Sequence, residues 1–180
     1  AARFIMNCNQ RKIPLVFLQD VSGFMVGSKA EQGGIIKDGA KMVNAVANST
    51  VPKFTVIMGN SYGAGNYAMC GKAYDPRLIV AWPTAQIAVM SGASAAKTLL
   101  QIRISALKTK GQKISAEEEA AILKEITDRY NSQLSPYYAA ARLWVDQVID
   151  PLDTRQYISA GIEAANHAKV KKFNVGVIQT

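Results

Sequence analysis

A run of small residues, GNSYGAGNYA at residues 59–68, has a composition and spacing that could support chemistry. The surrounding pattern predicts a strand before this run and a helix after it. The first amides of a helix have no carbonyl partners within it, and the helix dipole places partial positive charge there. Backbone amides near Ala64 and Gly65 could therefore hold an anion or a developing oxyanion. The alternative is a plain turn that uses glycine for its backbone freedom.

The same run matches a dinucleotide-binding signature in part. Residues 63–68 read G-x-G-x-x-A. That signature also requires an acidic residue at the end of the next strand, where it binds the ribose. The next predicted strand ends without an acid, and Asp75 precedes that strand instead of following it. The sequence therefore gives a dinucleotide site little support.

A second partial match is to the serine hydrolases. Residues 59–63 read G-x-S-x-G, in which Ser61 would be the nucleophile of an α/β-hydrolase. The remaining members of a triad follow in the usual chain order: Asp146, Asp150 or Asp153, and then His167. However, His167 is predicted inside a helix, whereas a triad histidine normally lies on a loop, and no HGGG-type motif is present. A serine hydrolase using Ser61 is therefore the alternative function.

The elements that must position this bend can be predicted from hydrophobic patterning. Compact apolar runs predict strands at residues 13–19, 53–58, 77–82 and 85–90. Helical patterns cover residues 30–49, 66–72, 92–108, 115–133, 136–145 and 154–170, with a basic linker at residues 108–115. Ser115 and Glu118 form a predicted capping box. Strands that alternate with helices favour a parallel sheet, and the later helices would form an apron beside it.

Composition excludes several classes of protein. The chain has 180 residues, of which 49% are hydrophobic and 19% are charged, as expected for one globular domain. Cys8 and Cys70 are far apart, and no histidine cluster is present, which argues against a metal site and favours a reducing cytoplasm. The net charge of +8 is scattered without interleaved aromatic residues, so we expect no nucleic-acid partner. No apolar run predicts a membrane span.

Several long segments, in order, resemble the carboxyltransferase β subunits of biotin-dependent acyl-CoA carboxylases, and most closely the methylcrotonyl-CoA carboxylase group. The segments are residues 13–27 (IPLVFLQDVSGFMVG), 33–90, 115–121 (SAEEEAA) and 135–155 (SPYYAAARLWVDQVIDPLDTR). The resemblance implies an α/β crotonase (ClpP/crotonase-like) fold with a helical C-terminal apron. It also implies that residues 1–180 are the C-terminal carboxyltransferase domain, a fragment of a longer subunit.

The resemblance further implies a reaction and a set of partners. The reaction is the carboxyltransferase half-reaction, in which CO2 from carboxybiotin is passed to an acyl-CoA such as methylcrotonyl-CoA or propionyl-CoA. Biotin would be attached to a separate carrier domain, and no metal is implied. The expected partners are an N-terminal carboxyltransferase domain, a second β subunit in a homo-oligomer of the family's hexameric type, and the subunit with biotin carboxylase and biotin carrier. The expected location is the cytoplasm, or the mitochondrial matrix in a eukaryote.

Site residues also follow from position in the family. The oxyanion hole, which would hold the biotin oxygen, falls on the amides of Ala64 and Gly65, and the sequence leaves open which amide points inward. Tyr67 occupies the position that tunes acyl size in propionyl-type members. Other residues expected at the pocket are Gly23, Phe24, Met25, Gly27, Gly63 and Met90. Core packing is the alternative for Phe24, Met25 and Met90. Two further alternatives are a decarboxylase of the same family and a domain that serves only in assembly.

Overall fold

The computed structural model describes residues 1–109 and 115–173. Strands and helices alternate along the first half of the chain, as predicted. The elements there are α1 (Ala2–Gln10), β1 (Leu15–Val21), α2 (Ser28–Gln32), α3 (Ile35–Ala47), β2 (Lys53–Tyr62) and α4 (Gly63–Ala68). The second half contains β3 (Leu78–Ala81), β4 (Gln86–Ala88), α5 (Gly92–Thr109), α6 (Ala116–Asn131), α7 (Pro136–Ala140), β5 (Gln147–Val148) and α8 (Thr154–Ala165).

The strands form one parallel sheet, which confirms the prediction from their alternation with helices. The order along the sheet is β1-β2-β3-β5, and the short strand β4 pairs with the C-terminal part of β2. Every recorded pairing in this sheet is parallel. Strand β2 therefore lies at the centre, and the carboxyl ends of β1 and β2 meet at one edge.

One face of the sheet packs against helices from the first half of the chain. Phe17 of β1 lies in a cluster with Ile5 of α1 and Val46 of α3. Farther along the same face, Ile57 of β2 packs with Val145, which follows α7. Because the side chains of a strand alternate between faces, every second residue of β1 is buried here.

The opposite face is covered by α8. Val56 of β2 and Val80 of β3 pack against Tyr157 and Ile158 of this helix. Central strands that are covered on both faces lose the alternation of apolar and polar residues. This explains why the first five residues of β2 are all buried.

Strand β2 is longer than predicted, so the glycine bend that follows it is shorter than predicted. The predicted strand stops at residue 58, whereas the observed strand continues to Tyr62. The extension is stabilised by pairing of Asn60, Ser61 and Tyr62 with β4, and by the Asp20 carboxylate, which accepts the Asn60 amide at 2.9 Å. Helix α4 follows the strand directly and begins at Gly63 instead of at residue 66.

Two predicted helices are interrupted for backbone reasons. The helix expected at residues 30–49 is divided into α2 and α3, because Gly34 adopts a left-handed φ of 91°. The helix expected at residues 136–145 ends at Ala140, and Leu143 has a φ of 59°. The chain then enters β5, a strand that hydrophobic patterning did not predict. The last helix also ends early, at Ala165 instead of residue 170.

Helices α5 and α6 pack against each other as a hairpin beside the sheet. The predicted capping box is confirmed, because Ser115 Oγ accepts the Glu118 amide at 3.2 Å and Glu118 Oε2 accepts the Ser115 amide at 3.0 Å. Most of the predicted linker at residues 108–115 lies outside the described residues. Within residues 1–109 and 115–173, no helix has the length and hydropathy needed to cross a membrane.

The packing of α8 on β2 can be tested at Gly161. Helix propensity alone predicts that Gly161→Ala stabilises the protein by about 1 kcal/mol. However, the new Cβ would lie 2.7 Å from Cε1 of Phe54, whose ring is fully buried. We expect Gly161→Ala to destabilise the subunit by about 1–3 kcal/mol, because overpacking outweighs propensity. Chemical unfolding measures the change. In the control, exposed Ala160→Gly should cost at most about 1 kcal/mol; a stabilised Gly161→Ala would contradict this packing.

Candidate functional site

The glycine bend lies where β2 ends and α4 begins. Tyr62, the N-cap of α4, has an extended backbone, and no side chain caps the helix start. The amides of Ala64 and Gly65 belong to the first turn, so they have no acceptor within the helix. Ala64 is exposed, whereas Gly65 is buried. The structure thus places these two backbone donors at the carboxyl end of the central strand.

Two glycines of the bend are required for different reasons. Gly63 has a left-handed φ of 53°, and a Cβ there would lie 2.8 Å from the Val89 carbonyl oxygen. Gly65 has no such backbone requirement. A Cβ on Gly65 would instead lie 2.6 Å from Val21 Cγ2 and 3.2 Å from Gly23 Cα. Gly65 therefore permits close contact between α4 and the segment that leaves β1.

A cleft of about 290 Å³ opens beside the bend. Its walls come from the end of β2, from α4, from β4 and from the segments around Lys72 and Trp144. The lining residues are Ile57, Ser61, Gly63, Asn66, Tyr67, Lys72, Ala73, Ile87, Ala88, Val89 and Trp144. Tyr67 is half exposed and meets the Tyr74 ring edge-on, with ring centroids 5.9 Å apart. The cleft is mainly apolar, and Gly63 and Asn66 of the bend line it, whereas Ala64 and Gly65, which lie between them in the sequence, do not.

Only part of the predicted pocket lines this cleft. Gly63 and Tyr67 do so. Gly23 lies close to the bend, since a Cβ on it would be 3.6 Å from the Tyr62 carbonyl oxygen. The other predicted residues lie elsewhere: the Phe24 ring packs against Gly39 of α3, Met25 is 72% exposed, Gly27 precedes α2, and Met90 follows β4 and is half-buried. For Phe24, the packing alternative describes its surroundings well.

Sequence reasoning missed Lys72, which lines the cleft, and its ion pair with Asp146. Lys72 Nζ lies 2.7 Å from Asp146 Oδ1, and Asp146 Oδ2 accepts the Ile79 amide at 2.8 Å. Asp146 was a candidate for the acid of a hydrolase triad, but the structure pairs it with Lys72. Lys72 and Asp146 are far apart in the sequence, so no local pattern could have indicated this ion pair.

Ser61 has none of the surroundings of a nucleophile. It lies within β2, is fully buried, and donates its hydroxyl proton to Gln19 Oε1 at 2.6 Å. Its oxygen accepts a hydrogen bond from Asn66 Nδ2 at 2.8 Å. The prediction that His167 lies inside a helix was wrong, because α8 ends at Ala165 and His167 follows in an exposed turn. Even so, the partners of Ser61 are amides, and the structure gives the hydrolase alternative no support.

Burial shifts the pKa of three groups near the sheet towards their neutral forms. It raises the pKa of the Cys70 thiol to about 11 and raises the pKa of the Tyr62 hydroxyl. It lowers the pKa of Lys53. Cys70 and Tyr62 are therefore protonated at neutral pH and are not activated as nucleophiles. Within the described part of the chain, no three potential metal-ligating side chains are grouped as a metal site would require.

The match of the sequence to a family model shows which family the chain belongs to. The model for the carboxyl transferase domain matches residues 1–176. The chain belongs to this family. The predicted resemblance is therefore confirmed over nearly the whole sequence.

Relatives of this carboxyl transferase domain include the mitochondrial methylcrotonoyl-CoA carboxylase beta chain of Arabidopsis thaliana, which is 52% identical over 99% of this chain and 30% of that protein. The biotin-dependent 3-methylcrotonyl-coenzyme A carboxylase beta1 subunit of Mycobacterium tuberculosis is 49% identical over 99% of this chain and 34% of its own length. The chain thus spans about a third of these relatives.

Solved structures show the same fold. The beta subunit of geranyl-CoA carboxylase from P. aeruginosa has a TM-score of 0.80 and 41% identity over 98% of this chain and 33% of its own. The transcarboxylase 12S structure has a TM-score of 0.82 and 39% identity over 96% of this chain and 32% of its own. These likenesses confirm the predicted crotonase-like α/β fold.

The burial of Ser61 leads to a direct test of its reactivity. A fluorophosphonate probe labels an activated serine, but the Ser61 hydroxyl is buried and occupied by two amide partners. We expect no modification of the peptide that contains Ser61 when the folded protein is treated and analysed by mass spectrometry. Probe attached to Ser61 in the folded protein would restore the hydrolase alternative.

Proposed function

We propose that this domain takes part in carboxyl transfer from biotin to an acyl-CoA, as the C-terminal carboxyltransferase domain of a longer subunit. The single observation that carries the proposal is the glycine bend: a helix start with free backbone donors beside an apolar cleft. The names of the relatives favour a methylcrotonyl-type acyl-CoA as the substrate class. The full reaction would need the other two thirds of the subunit.

The chemical character of the cleft walls suits a biotin ring. That ring is largely apolar, and its polar ureido group needs hydrogen-bond donors. The cleft offers apolar walls from Ile87, Val89 and Trp144, with the amides of Ala64 and Gly65 at the nearby helix start. Carboxybiotin, when bound, would supply the CO2 that is transferred, and biotin would remain. The two amides would donate hydrogen bonds to its ureido oxygen, and the apolar walls would exclude water.

The proposed task of this domain is positioning and electrostatic stabilisation. Donors fixed in advance act strongly in a site that excludes water, because they do not reorganise during the reaction. Ser61 is occupied by its neighbours, and Cys70 and Tyr62 are held in their neutral forms, so these side chains are poor candidates for a base or a nucleophile. The backbone amides of Ala64 and Gly65 are therefore the groups best suited to stabilise an oxyanion.

We also propose that the site is completed by other parts of a larger assembly. These parts are the N-terminal carboxyltransferase domain, a second copy of the subunit, and the partner that carries biotin and biotin carboxylase. A solved relative, transcarboxylase 12S, is described as a hexamer assembly. Tyr137, Leu143 and Trp144 are exposed, and we place them at such a contact. The proposed location is the cytoplasm, or the matrix of a mitochondrion.

The experiment that tests the proposed function is carboxyl transfer by the full-length subunit, assembled with its biotin-carrying partner. In this enzyme, Gly65→Val should reduce transfer by roughly 100- to 1,000-fold, the usual effect of losing one oxyanion donor. The physical reason is displacement: the new side chain would collide with Val21 and Gly23 and push the first turn of α4 away from its place.

An exposed position supplies the control for added bulk. Ala160→Val enlarges a side chain on the outer surface of α8 and should leave transfer unchanged. If an assembled Gly65→Val enzyme kept wild-type activity, the bend would not hold the oxyanion. If the unaltered enzyme failed to carboxylate any acyl-CoA, the proposed function itself would be wrong.

Tyr67 should influence which acyl-CoA is preferred. Its ring is half exposed in the cleft wall and is supported edge-on by Tyr74. The acyl group must meet the biotin ring at this cleft, so we expect Tyr67→Ala, which enlarges it, to raise kcat/KM for a longer acyl-CoA relative to a shorter one by about 10-fold, since one methylene in an apolar site is worth roughly 10- to 200-fold. Competition between two acyl-CoAs measures the ratio. Tyr67→Phe retains the ring and serves as the control, and an unchanged ratio in Tyr67→Ala would exclude this role.

A further inference from the structure

A chain of hydrogen bonds, buried at its centre and partly buried at its ends, links three side chains at the glycine bend. Gln19 and Ser61 are both fully buried. Ser61 Oγ donates to Gln19 Oε1 at 2.6 Å and accepts from Asn66 Nδ2 at 2.8 Å. Gln19 Nε2 in turn donates to the Met69 carbonyl oxygen at 2.8 Å. Each of these hydrogen bonds satisfies a polar group that would be costly to leave unpaired in the interior.

Both ends of this chain of hydrogen bonds reach α4. Asn66 is the residue that follows Gly65 within the helix, and Met69 is the C-cap residue. Gln19 belongs to β1 and Ser61 belongs to β2. The polar chain therefore ties a helix to two neighbouring parallel strands, and one of its members, Asn66, directly follows Gly65 in the sequence.

Apolar packing gives α4 little support of its own. The helix has six residues with the sequence GAGNYA, and Tyr67 is half exposed. Ala68 and Gly65 are its buried members, and both are small. Small side chains bury little apolar surface, so packing determines the position of this helix only loosely. Directional hydrogen bonds from the sheet can fix that position more narrowly.

We propose that Gln19, Ser61 and Asn66 are positioning residues for carboxyl transfer. They hold α4 at one height and one angle on the sheet, and they thereby place the Ala64 and Gly65 amides where a developing oxyanion needs them. This inference rests on the proposed function. A misplacement of about 1 Å can cost roughly 100-fold in rate, so a helix that is only slightly displaced would be a poor catalyst.

The test uses the full-length subunit assembled with its biotin-carrying partner. Ser61→Ala removes the central hydroxyl and leaves the amides of Gln19 and Asn66 without their shared partner. We expect kcat to fall by about 10-fold or more, a fraction of the full misplacement effect. The KM for acyl-CoA should change less than about twofold, because placement of the amides affects the transition state more than ground-state binding.

A matched control separates positioning from general loss of stability. Asn9 is a second buried polar residue, and its Oδ1 accepts the Thr50 amide at 2.8 Å and the Ser49 hydroxyl at 3.0 Å. It supports the turn before β2, at the opposite end of that strand from the bend. Asn9→Ala should lower the unfolding temperature at least as much as Ser61→Ala does, and it should leave kcat within about twofold of wild type, since distant sites act independently.

A double substitution tests whether the chain of hydrogen bonds acts as a unit. Gln19→Met keeps the length of the side chain and removes both of its hydrogen bonds. If the two residues act through the same helix, Gln19→Met with Ser61→Ala should lose no more activity than the worse single variant. Should Ser61→Ala fail to assemble, Gln19→Met is judged by the same criteria for kcat and KM.

The outcomes distinguish this inference from the proposed function. Carboxyl transfer by the unaltered enzyme, loss of transfer in Gly65→Val and the expected fall in kcat in Ser61→Ala would support both. Active unaltered enzyme with wild-type kcat in Ser61→Ala and Gln19→Met would overturn the positioning role alone. A rise in KM at constant kcat, or an equal fall in kcat in Asn9→Ala, would also overturn it. No transfer by the unaltered enzyme would instead remove the proposed function.

Discussion

Strand β2 pairs with three other strands, and this central position controls everything that lies at its carboxyl end. Its first residues are buried on both faces, which fixes their register against β1 and β3. Its last residues pair with β4, so the strand stays extended up to Tyr62. Gly63 then adopts a left-handed conformation, the helix begins there, and Gly63 and Asn66 of this helix line the cleft. The position of the candidate site therefore depends on the pairing and burial of strand β2.

A site made from backbone amides places unusual demands on the residues around it. A side-chain catalyst can adjust by rotating, but a backbone donor moves only with its whole element. The small residues at the bend permit close approach, and they also reduce the packing that would hold α4 in place. The buried hydrogen bonds from Gln19 and Ser61 offset that loss, and this is a reason for polar residues to occupy the interior at this point.

The G-x-S-x-G match shows how a motif can be met without its chemistry. In an α/β-hydrolase the serine lies on an exposed turn, and a histidine is within reach of it. In this chain the motif falls on the last residues of strand β2. Ser61 is therefore buried and forms hydrogen bonds with the side-chain amides of Gln19 and Asn66. The position of the strand end, one residue beyond the serine, decides between an exposed nucleophile and a buried structural hydroxyl.

The sequence by itself determined the fold class, the parallel sheet, the capping box at Ser115 and the family. These features depend on local pattern and on long stretches of similar residues, both of which a single chain displays. It also indicated the glycine bend as the candidate site, since the concentration of small residues there is visible without a structure.

Only the tertiary structure decided where β2 ends, what surrounds Ser61 and how Lys72 is paired. The partners responsible are distant in sequence. Asp20 and β4 stabilise the end of the strand, Gln19 accepts a hydrogen bond from the Ser61 hydroxyl, and Asp146 forms an ion pair with Lys72. Local propensity also extended the helix that starts at Pro136 beyond its observed end at Ala140, after which Leu143 adopts a left-handed backbone. Local patterns predict which elements form, whereas contacts between distant residues decide where each element stops and which side chains it leaves free.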